Sequence, residues 1–174
     1  MSASSIPWFY KLFLLYIEPV SALAGAYYAA LRPSDYLRDL TLPQTSYATA
    51  SDALPNPALS PEIAASLFQL ANLYLLFALN EHLVLSSTNS LTTWRRLLFC
   101  LLVADFGHLA TLVPLVSGAS VGSGLGWDVY YRVWDWNAMM WGSIGFVYLG
   151  ASTRIAFLLG VGLQQPAVKG KKRA

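Results

Sequence analysis

Four long apolar stretches separated by polar segments dominate the pattern of hydrophobic and polar positions along this chain. They predict helices over residues 6–31, 61–85, 93–115 and 127–159, with boundaries approximate. A helix that crosses the hydrocarbon core of a bilayer needs about 20 residues at a rise of about 1.5 Å per residue, and each stretch meets that length. The pattern therefore predicts an all-α fold, a four-transmembrane-helix bundle that forms a single integral membrane domain over residues 1–174.

Composition agrees with a membrane protein. Hydrophobic residues make up 56% of the chain and charged residues only 11%, whereas soluble domains carry about 25% charged residues. The six tryptophans and ten tyrosines suit interfacial anchors and the rigid walls of an apolar pocket. The single cysteine leaves no internal disulfide, and the two histidines lack metal-ligand spacing. We therefore expect no metal, no cofactor and no nucleic-acid partner; a homo-oligomer is one alternative for the assembly.

Proline and capping residues mark where the predicted helices begin and bend. Ser60 and Pro61 fit the N-cap and first turn of the second helix, and Pro19 predicts a bend in the first helix. The polar segment 32–60 is rich in proline and predicts a lumenal loop, within which the stretch DYLRDL suits a short interfacial helix. This loop is either a plain connector or a lid over a membrane cavity.

The distribution of basic residues predicts the orientation in the membrane. Four spans place both termini on one side, together with the loop between the second and third helices and a basic tail over residues 165–174. On that side lie Lys11, Arg95, Arg96, Arg154, Lys169, Lys171, Lys172 and Arg173, and on the other lie Arg32, Arg38 and Arg132. The positive-inside rule then predicts cytosolic termini and a lumenal long loop, in the membrane of the endoplasmic reticulum.

Ionisable side chains lie deep within the predicted helices. Asp105 and His108 are three positions apart in the third helix and so share a face, and Glu18 lies in the first helix. Placing an acid at the bilayer centre costs about 3 kcal/mol, so such residues usually face a protein interior or a wet cavity. A rise of about 1.5 Å per residue puts all three at similar depth. They are predicted to meet in one layer, with a structural, paired Glu18 as the alternative.

Amides, further acids and aromatic side chains are the other candidates. Gln69 and Asn72 share one face of the second helix and Glu81 points the opposite way, while His82 is interpreted as a surface residue. The WDWN stretch fits either a pocket wall or an interfacial belt with a salt-bridged acid, and Trp134, Asn137 and Trp141 are predicted to share a helix face. The predicted substrate- or water-binding residues are Asn72, Asn80, Glu81, Tyr131, Trp134, Trp136 and Asn137, with Asp135 as a further catalytic residue. Asn72 fits a helix-to-helix contact equally well.

Acid–base chemistry is the reaction class that these residues favour. The sequence has no nucleophile elbow and no recognisable haem or flavin ligands, which leaves carboxyl groups and a histidine in a medium of low dielectric constant. Such groups suit epoxide opening, double-bond isomerisation or cyclisation of a lipophilic substrate. For epoxide hydrolysis, Asp105 would activate water, Glu18 or Asp135 would donate the proton, and His108 would orient Asp105.

Four stretches of the sequence carry a resemblance to a known family. IEPVSALAGAYYA, NLYLLFALNEHLVL, WRRLLFCLLVADFGHL and WDWN, one in each predicted helix, resemble a family of small fungal integral membrane proteins. Many members have no known function, and some are similar to the epoxide hydrolases of aurovertin-type and citreoviridin-type polyketide pathways. The resemblance implies a cofactor-independent hydrolase of lipophilic polyketide epoxides in secondary metabolism, at the endoplasmic reticulum.

The four-helix plan is also similar to the emopamil-binding and sigma-2 receptor group of sterol isomerases and sterol binders. The acidic and histidine positions that mark that group do not align with the acids and histidines of this chain. Two alternatives to the hydrolase therefore stay open: an isomerase or cyclase of a lipophilic substrate, and a non-catalytic sterol- or lipid-binding membrane protein.

Overall fold

The computed structural model describes residues 6–40, 59–112 and 127–163, and within these ranges the chain is all-helical. Five helices are present there: α1 (Trp8–Leu31), α2 (Pro33–Leu40), α3 (Pro61–Val84), α4 (Leu91–Ala110) and α5 (residues 138–158). Among the described helices, α1 and α3 are long and apolar enough to cross a membrane. The predicted basic tail, residues 165–174, lies outside the described residues.

Capping side chains set the starts of α3 and α4. The Ser60 hydroxyl accepts a hydrogen bond from the Ile63 backbone N–H at 3.4 Å, directly before Pro61, so the predicted N-cap is confirmed. The Ser90 hydroxyl accepts from Thr93 N at 3.4 Å, and α4 therefore begins two residues before the predicted boundary. This helix ends at Ala110, and most of its predicted continuation to residue 115 lies outside the described residues.

A π-helical turn over Phe13–Ile17 stands just before Pro19, where the sequence predicts a bend. Proline has no N–H to donate to the carbonyl four residues earlier, which is that of Leu15. The Nδ1 atom of His82 on α3 lies 2.7 Å from the Leu15 oxygen. A carbonyl only accepts hydrogen bonds, so Nδ1 carries the hydrogen. His82 therefore joins α3 to α1, and the interpretation of His82 as a plain surface residue is wrong.

The predicted lumenal loop contains the helix α2, which includes the DYLRDL stretch, whereas residues 41–58 lie outside the described part of the chain. Asp35 on its outer side forms ion pairs with Arg32 at 2.6 Å and with Arg38 at 2.9 Å. Tyr36 on its inner side is buried. The Asn137 amide donates to the Asp39 carbonyl at 2.7 Å and joins the end of α2 to the start of α5.

The fourth long helix begins later than the sequence predicts. Two 3-10 turns, Trp127–Tyr130 and Val133–Asp135, precede it, and the Asn137 side chain caps α5 by accepting from Met140 N at 2.8 Å. An N-cap residue has an extended backbone, so the residues before Asn137 cannot continue the same helix. The predicted alignment of Trp134, Asn137 and Trp141 on one helix face is therefore wrong.

The long helices pack as α1 against α3 and α4 against α5, and apolar clusters join the two pairs. In the largest cluster the Trp94 ring of α4 stacks on Phe157 of α5 at a centroid distance of 5.6 Å, and Tyr10 of α1 meets the same ring edge-on. Large apolar side chains also cover the outside of the bundle; Val20, for example, is 65% exposed. An apolar exterior of this kind is unusual for a soluble monomer.

Candidate functional site

One guanidinium group gathers three carboxyl groups at the centre of the bundle. Arg154 of α5 is fully buried, and its Nη2 atom lies 2.9 Å from Oε1 of Glu18 on α1 and 3.0 Å from Oε1 of Glu81 on α3. Its Nη1 atom donates to Oδ2 of Asp105 on α4 at 2.8 Å. These four residues are called the Arg154 cluster below, and each of the four long helices contributes one of them.

Irregular helical turns place two of the acids. Glu18 follows the π-helical turn Phe13–Ile17 directly, and Glu81 lies inside a second π-helical turn, Asn80–Val84. A π-helical turn contains more residues than an α-helical turn, so it changes the direction of the side chains that follow it; such turns are frequent at functional sites. These two turns also contact each other, which brings Glu18 and Glu81 to the same guanidinium nitrogen.

Gly150, one turn before Arg154 on α5, leaves room for the cluster. A Cβ atom at this position would lie 2.6 Å from Arg154 Nη1 and would collide with the Glu18 carboxyl group. Helical side chains lean toward the N-terminus of their helix, so the arginine side chain runs back over its own preceding turn. Only glycine at this position permits the observed arrangement without a shift of the charged groups.

The cluster has more acids than bases. With all three carboxyl groups ionised, one guanidinium would leave a net charge of −2 in a buried site, which low dielectric surroundings strongly disfavour. The Phe77 ring adds a cation–π contact at 5.3 Å from Arg154 Cζ. Within the described ranges, Arg154 Nε makes no hydrogen bond. The Glu18 and Glu81 carboxyl groups are within hydrogen-bonding reach of each other, and a hydrogen bond between two carboxyl groups needs a proton on one of them. The glutamate pair is therefore the part of the cluster that can hold a proton.

His108 lies one turn beyond Asp105 on α4 and lines a cavity of about 190 Å³ instead of joining the cluster. The cavity is lined by Tyr36, Leu37, Leu40, Leu67, Leu70, His108, Thr111, Leu112 and Ser143. Three of these residues belong to α2, which therefore covers one side of the cavity. The His108 imidazole is buried, and the backbone of Ser143 lies within hydrogen-bonding reach of it.

The phenol of Tyr36 on α2 is held over the cavity by the phenol of Tyr74 on α3, at an oxygen–oxygen distance of 3.2 Å. Burial raises the pKa of Tyr36, an effect that the hydrogen bond with Tyr74 partly offsets. The Tyr36 hydroxyl therefore stays protonated at neutral pH and acts as a hydrogen-bonding group, not as a charge.

The predicted catalytic and acidic residues divide into two groups. Glu18 and Asp105 contact the same guanidinium, and Glu81, predicted to bind substrate or water, joins them. Asp135 is elsewhere: its carboxylate pairs with Arg132 at 2.8 Å, and its side chain is 39% exposed. This arrangement matches the salt-bridged interfacial alternative for the WDWN stretch.

The predicted aromatic and amide residues lie outside the cluster. Trp134 and Tyr131 are exposed, and Trp136 is buried in an apolar group, where its Nε1 donates to Val129 O at 2.7 Å. The Asn80 amide donates to Leu76 O of its own helix at 2.9 Å. Asn137 is the cap of α5, and Asn72 is exposed on the outside of α3.

Arg154 is the residue that the sequence reasoning misplaced. The distribution of basic residues predicts a cytosolic position for Arg154, whereas the structure buries it completely. The signal that could have found it is charge balance: three acids in apolar helices require a cation at the same depth. Arg154 stands between GAST and IAFLLG, an apolar setting in which a cytosolic role is improbable.

A protein-family model described as Domain of unknown function (DUF7704) matches residues 3–164. The chain belongs to this family. The matched region contains the five described helices and the whole Arg154 cluster, so both lie within one DUF7704 domain. No curated protein and no solved structure matches the chain. The family description states no activity, and the resemblance to polyketide epoxide hydrolases stays a prediction.

Proposed function

We propose that this chain is an integral membrane, cofactor-independent epoxide hydrolase for a lipophilic substrate, with polyketide epoxides as the class suggested by the resemblance. The observation that carries the proposal is the Arg154 cluster, in which three carboxyl groups from three helices share one buried guanidinium. A shared arginine lets neighbouring carboxyl groups hold different protonation states. Epoxide hydrolysis needs such a pair, one group that accepts a proton and one that donates.

The four-span arrangement is part of this proposal. Two of the long helices, α1 and α3, have the length and apolarity to cross a membrane. Glu18 of α1 and Glu81 of α3 touch the guanidinium that also binds Asp105 of α4, so α4 and α5 reach the same depth. Exposed apolar residues on α4, such as Phe99 and Phe106, support contact with lipid. Cytosolic termini and the endoplasmic reticulum remain predictions from the distribution of charge.

In the proposed reaction, a water molecule adds across the epoxide. Asp105, whose carboxylate is paired with Arg154 Nη1, removes a proton from the water molecule. At the same time the water oxygen forms a bond to one epoxide carbon. The bond from that carbon to the epoxide oxygen breaks, and the oxygen takes a proton from the Glu18 and Glu81 pair at Nη2. The product is a diol, and return of the proton from Asp105 to the glutamate pair restores the cluster.

The cavity beside His108 is the proposed seat of the substrate. Its five leucine side chains suit an apolar carbon skeleton. The imidazole of His108, three positions from Asp105 on the same helix, lines this cavity and can hold the attacking water. In this scheme the carbon skeleton occupies the cavity, and the epoxide ring reaches past His108 to the carboxyl groups, which do not line the cavity themselves.

A non-catalytic binder of lipophilic molecules is the second candidate. It is favoured by one observation: none of the described carboxyl groups lines the cavity. In that case the Arg154 cluster serves to join the four helices. If water is excluded from the site, the same carboxyl groups could move protons on the substrate itself, which is the chemistry of an isomerase or a cyclase.

The deciding experiment incubates lipophilic polyene epoxides with the protein in lipid nanodiscs and ¹⁸O-labelled water. The wild-type protein should form a diol that carries a single ¹⁸O atom. Asp105→Asn should lower the rate at least about 100-fold, the usual contribution of a general base. Asp135→Asn is the matched control, because this surface acid lies outside the cluster, and its rate should be unchanged. Equal unfolding temperatures of the variants separate loss of chemistry from loss of folding.

Other outcomes contradict the hydrolase. An isomeric product without label identifies an isomerase or cyclase. Retention of the epoxide unchanged in the nanodisc, with equal affinity in the wild type and Asp105→Asn, identifies a binding protein.

A further inference from the structure

The outward face of α3 carries two amide side chains in the middle of an otherwise apolar span. Gln69 and Asn72 are exposed and lie three positions apart on one side of the helix, away from its buried face of Leu67, Ala71 and Ala78. A rise of about 1.5 Å per residue places Asn72 roughly 17 Å from either end of the helix. If α3 crosses the bilayer, both amides are near its midplane.

Neither amide has a hydrogen-bonding partner within the part of the chain that the structure describes. The exposed residues of the other long helices are mostly apolar, for example Val20 on α1 and Val103 on α4, and include no amide; α5 exposes the small hydroxyl side chain of Ser152. The polar groups on α3 are thus a local feature of one helix face and not a property of the whole exterior. An unpaired amide in hydrocarbon is unfavourable, and interhelical hydrogen bonds are the usual way to satisfy it.

We propose that α3 packs against α3 of a second copy of this chain, with Gln69 and Asn72 hydrogen-bonding to their counterparts. An amide both donates and accepts, so it is complementary to itself. In a dimer with a twofold axis along the membrane normal, identical residues lie at identical depth, and each amide meets its own copy. Ala65 on the same outward stripe lets the two backbones approach closely.

Disulfide cross-linking in native membranes tests this interface. Leu76→Cys places a thiol on the same stripe one turn from Asn72 and keeps both amides, in a background in which Cys100→Ser removes the exposed native thiol. Oxidation should give a covalent dimer of this chain. Val103→Cys, equally exposed but on α4, is the matched control and should stay monomeric.

The amides themselves are tested by adding Gln69→Leu and Asn72→Leu to the Leu76→Cys protein. Cross-linking should fall about tenfold, equivalent to about 1.4 kcal/mol of association free energy. No dimer from Leu76→Cys, equal cross-linking from Val103→Cys, no effect of the leucine variants, or a cross-link to a different protein would each overturn the proposal. The interface does not depend on the proposed hydrolase activity, so failure of either leaves the other standing.

Discussion

A buried arginine is stable only where counter-charges and hydrogen bonds replace its hydration. Arg154 has three carboxyl partners, which contact its two Nη atoms. The surface pair of Arg132 and Asp135, by contrast, is a local exposed contact of the kind that contributes little free energy.

Replacement of Gly150 tests the packing of the cluster. Gly150→Ala places a Cβ against Arg154 Nη1 and the Glu18 carboxyl group, so the charged groups must move. The free energy of unfolding should fall by about 1–3 kcal/mol, the usual effect of overpacking. Gly142→Ala on the same helix is the control, because a Cβ there meets nothing within 4 Å. Denaturant unfolding in bicelles measures both, and equal stability of the two variants would contradict the described geometry.

At the scale of single residues, the sequence predicts which ionisable side chains interrupt the apolar helices. Glu18 and Asp105 were recognisable as acids in apolar helices, and they do meet. Glu81 was predicted to point away from Asn72, as it does, but the amides were expected to face inward. Glu81 takes the inner face because its counter-charge, Arg154, lies there, and Asn72 on the opposite side of α3 is therefore on the outer face. Arg154 was missed because a basic residue near a helix end resembles an interfacial anchor.

At the scale of helices, Pro19 and His82 together determine the hydrogen bonding of one backbone carbonyl, that of Leu15. Because Pro19 has no N–H, it cannot donate a hydrogen bond to the Leu15 carbonyl. The His82 imidazole on the neighbouring helix donates to this carbonyl instead, at 2.7 Å. The two π-helical turns that position Glu18 and Glu81 meet at this point. His82 therefore fixes the relative position of two acids without contacting the guanidinium.

Loss of this hydrogen bond has a testable consequence. His82→Phe leaves the Leu15 carbonyl without its partner and should lower the free energy of unfolding by about 1–2 kcal/mol. In a Pro19→Ala background the alanine supplies an N–H to the same carbonyl, so His82→Phe should be less destabilising there. A double-mutant cycle in lipid bicelles measures the difference. An equal effect of His82→Phe in both backgrounds would show that the imidazole does not serve this carbonyl.

The positions of most helices followed from apolar runs and local capping. Ser60 marked the start of α3, and the DYLRDL stretch marked α2. The start of α5 did not follow, because the aromatic residues before Asn137 continue the apolar pattern while the asparagine cap stops the helix. The π-helical turns were equally unpredictable, since they depend on contacts between helices.

At the scale of the whole molecule, the Arg154 cluster joins two helix pairs inside an apolar exterior. The first pair is α1 with α3, and the second is α4 with α5. Lys11 near the start of α1 donates to Asn89, in the short connection between α3 and α4, at 3.3 Å. The helix α2 follows the far end of α1. The connection and α2 therefore lie at opposite ends of the bundle.

This arrangement predicts opposite accessibility for two introduced thiols. In a Cys100→Ser background, Asn89→Cys and Asp39→Cys should react with a membrane-impermeant thiol reagent from opposite sides of sealed microsomes. The distribution of basic residues predicts that Asn89→Cys reacts from the cytosolic side. Reaction of both thiols from the same side would exclude the proposed crossing of the membrane by α1 and α3.

The protonation state of the cluster decides whether it can serve as an acid–base centre. Infrared spectroscopy of the protein in nanodiscs at neutral pH detects the C=O stretch of protonated carboxyl groups. The wild-type protein should show this band, and the Glu18→Gln/Glu81→Gln variant should lose it, while Asp135→Asn should retain it. A wild-type spectrum without any protonated carboxyl band, or a band that persists unchanged in the Glu18→Gln/Glu81→Gln variant, would contradict the proposal that the Arg154 cluster stores protons for catalysis.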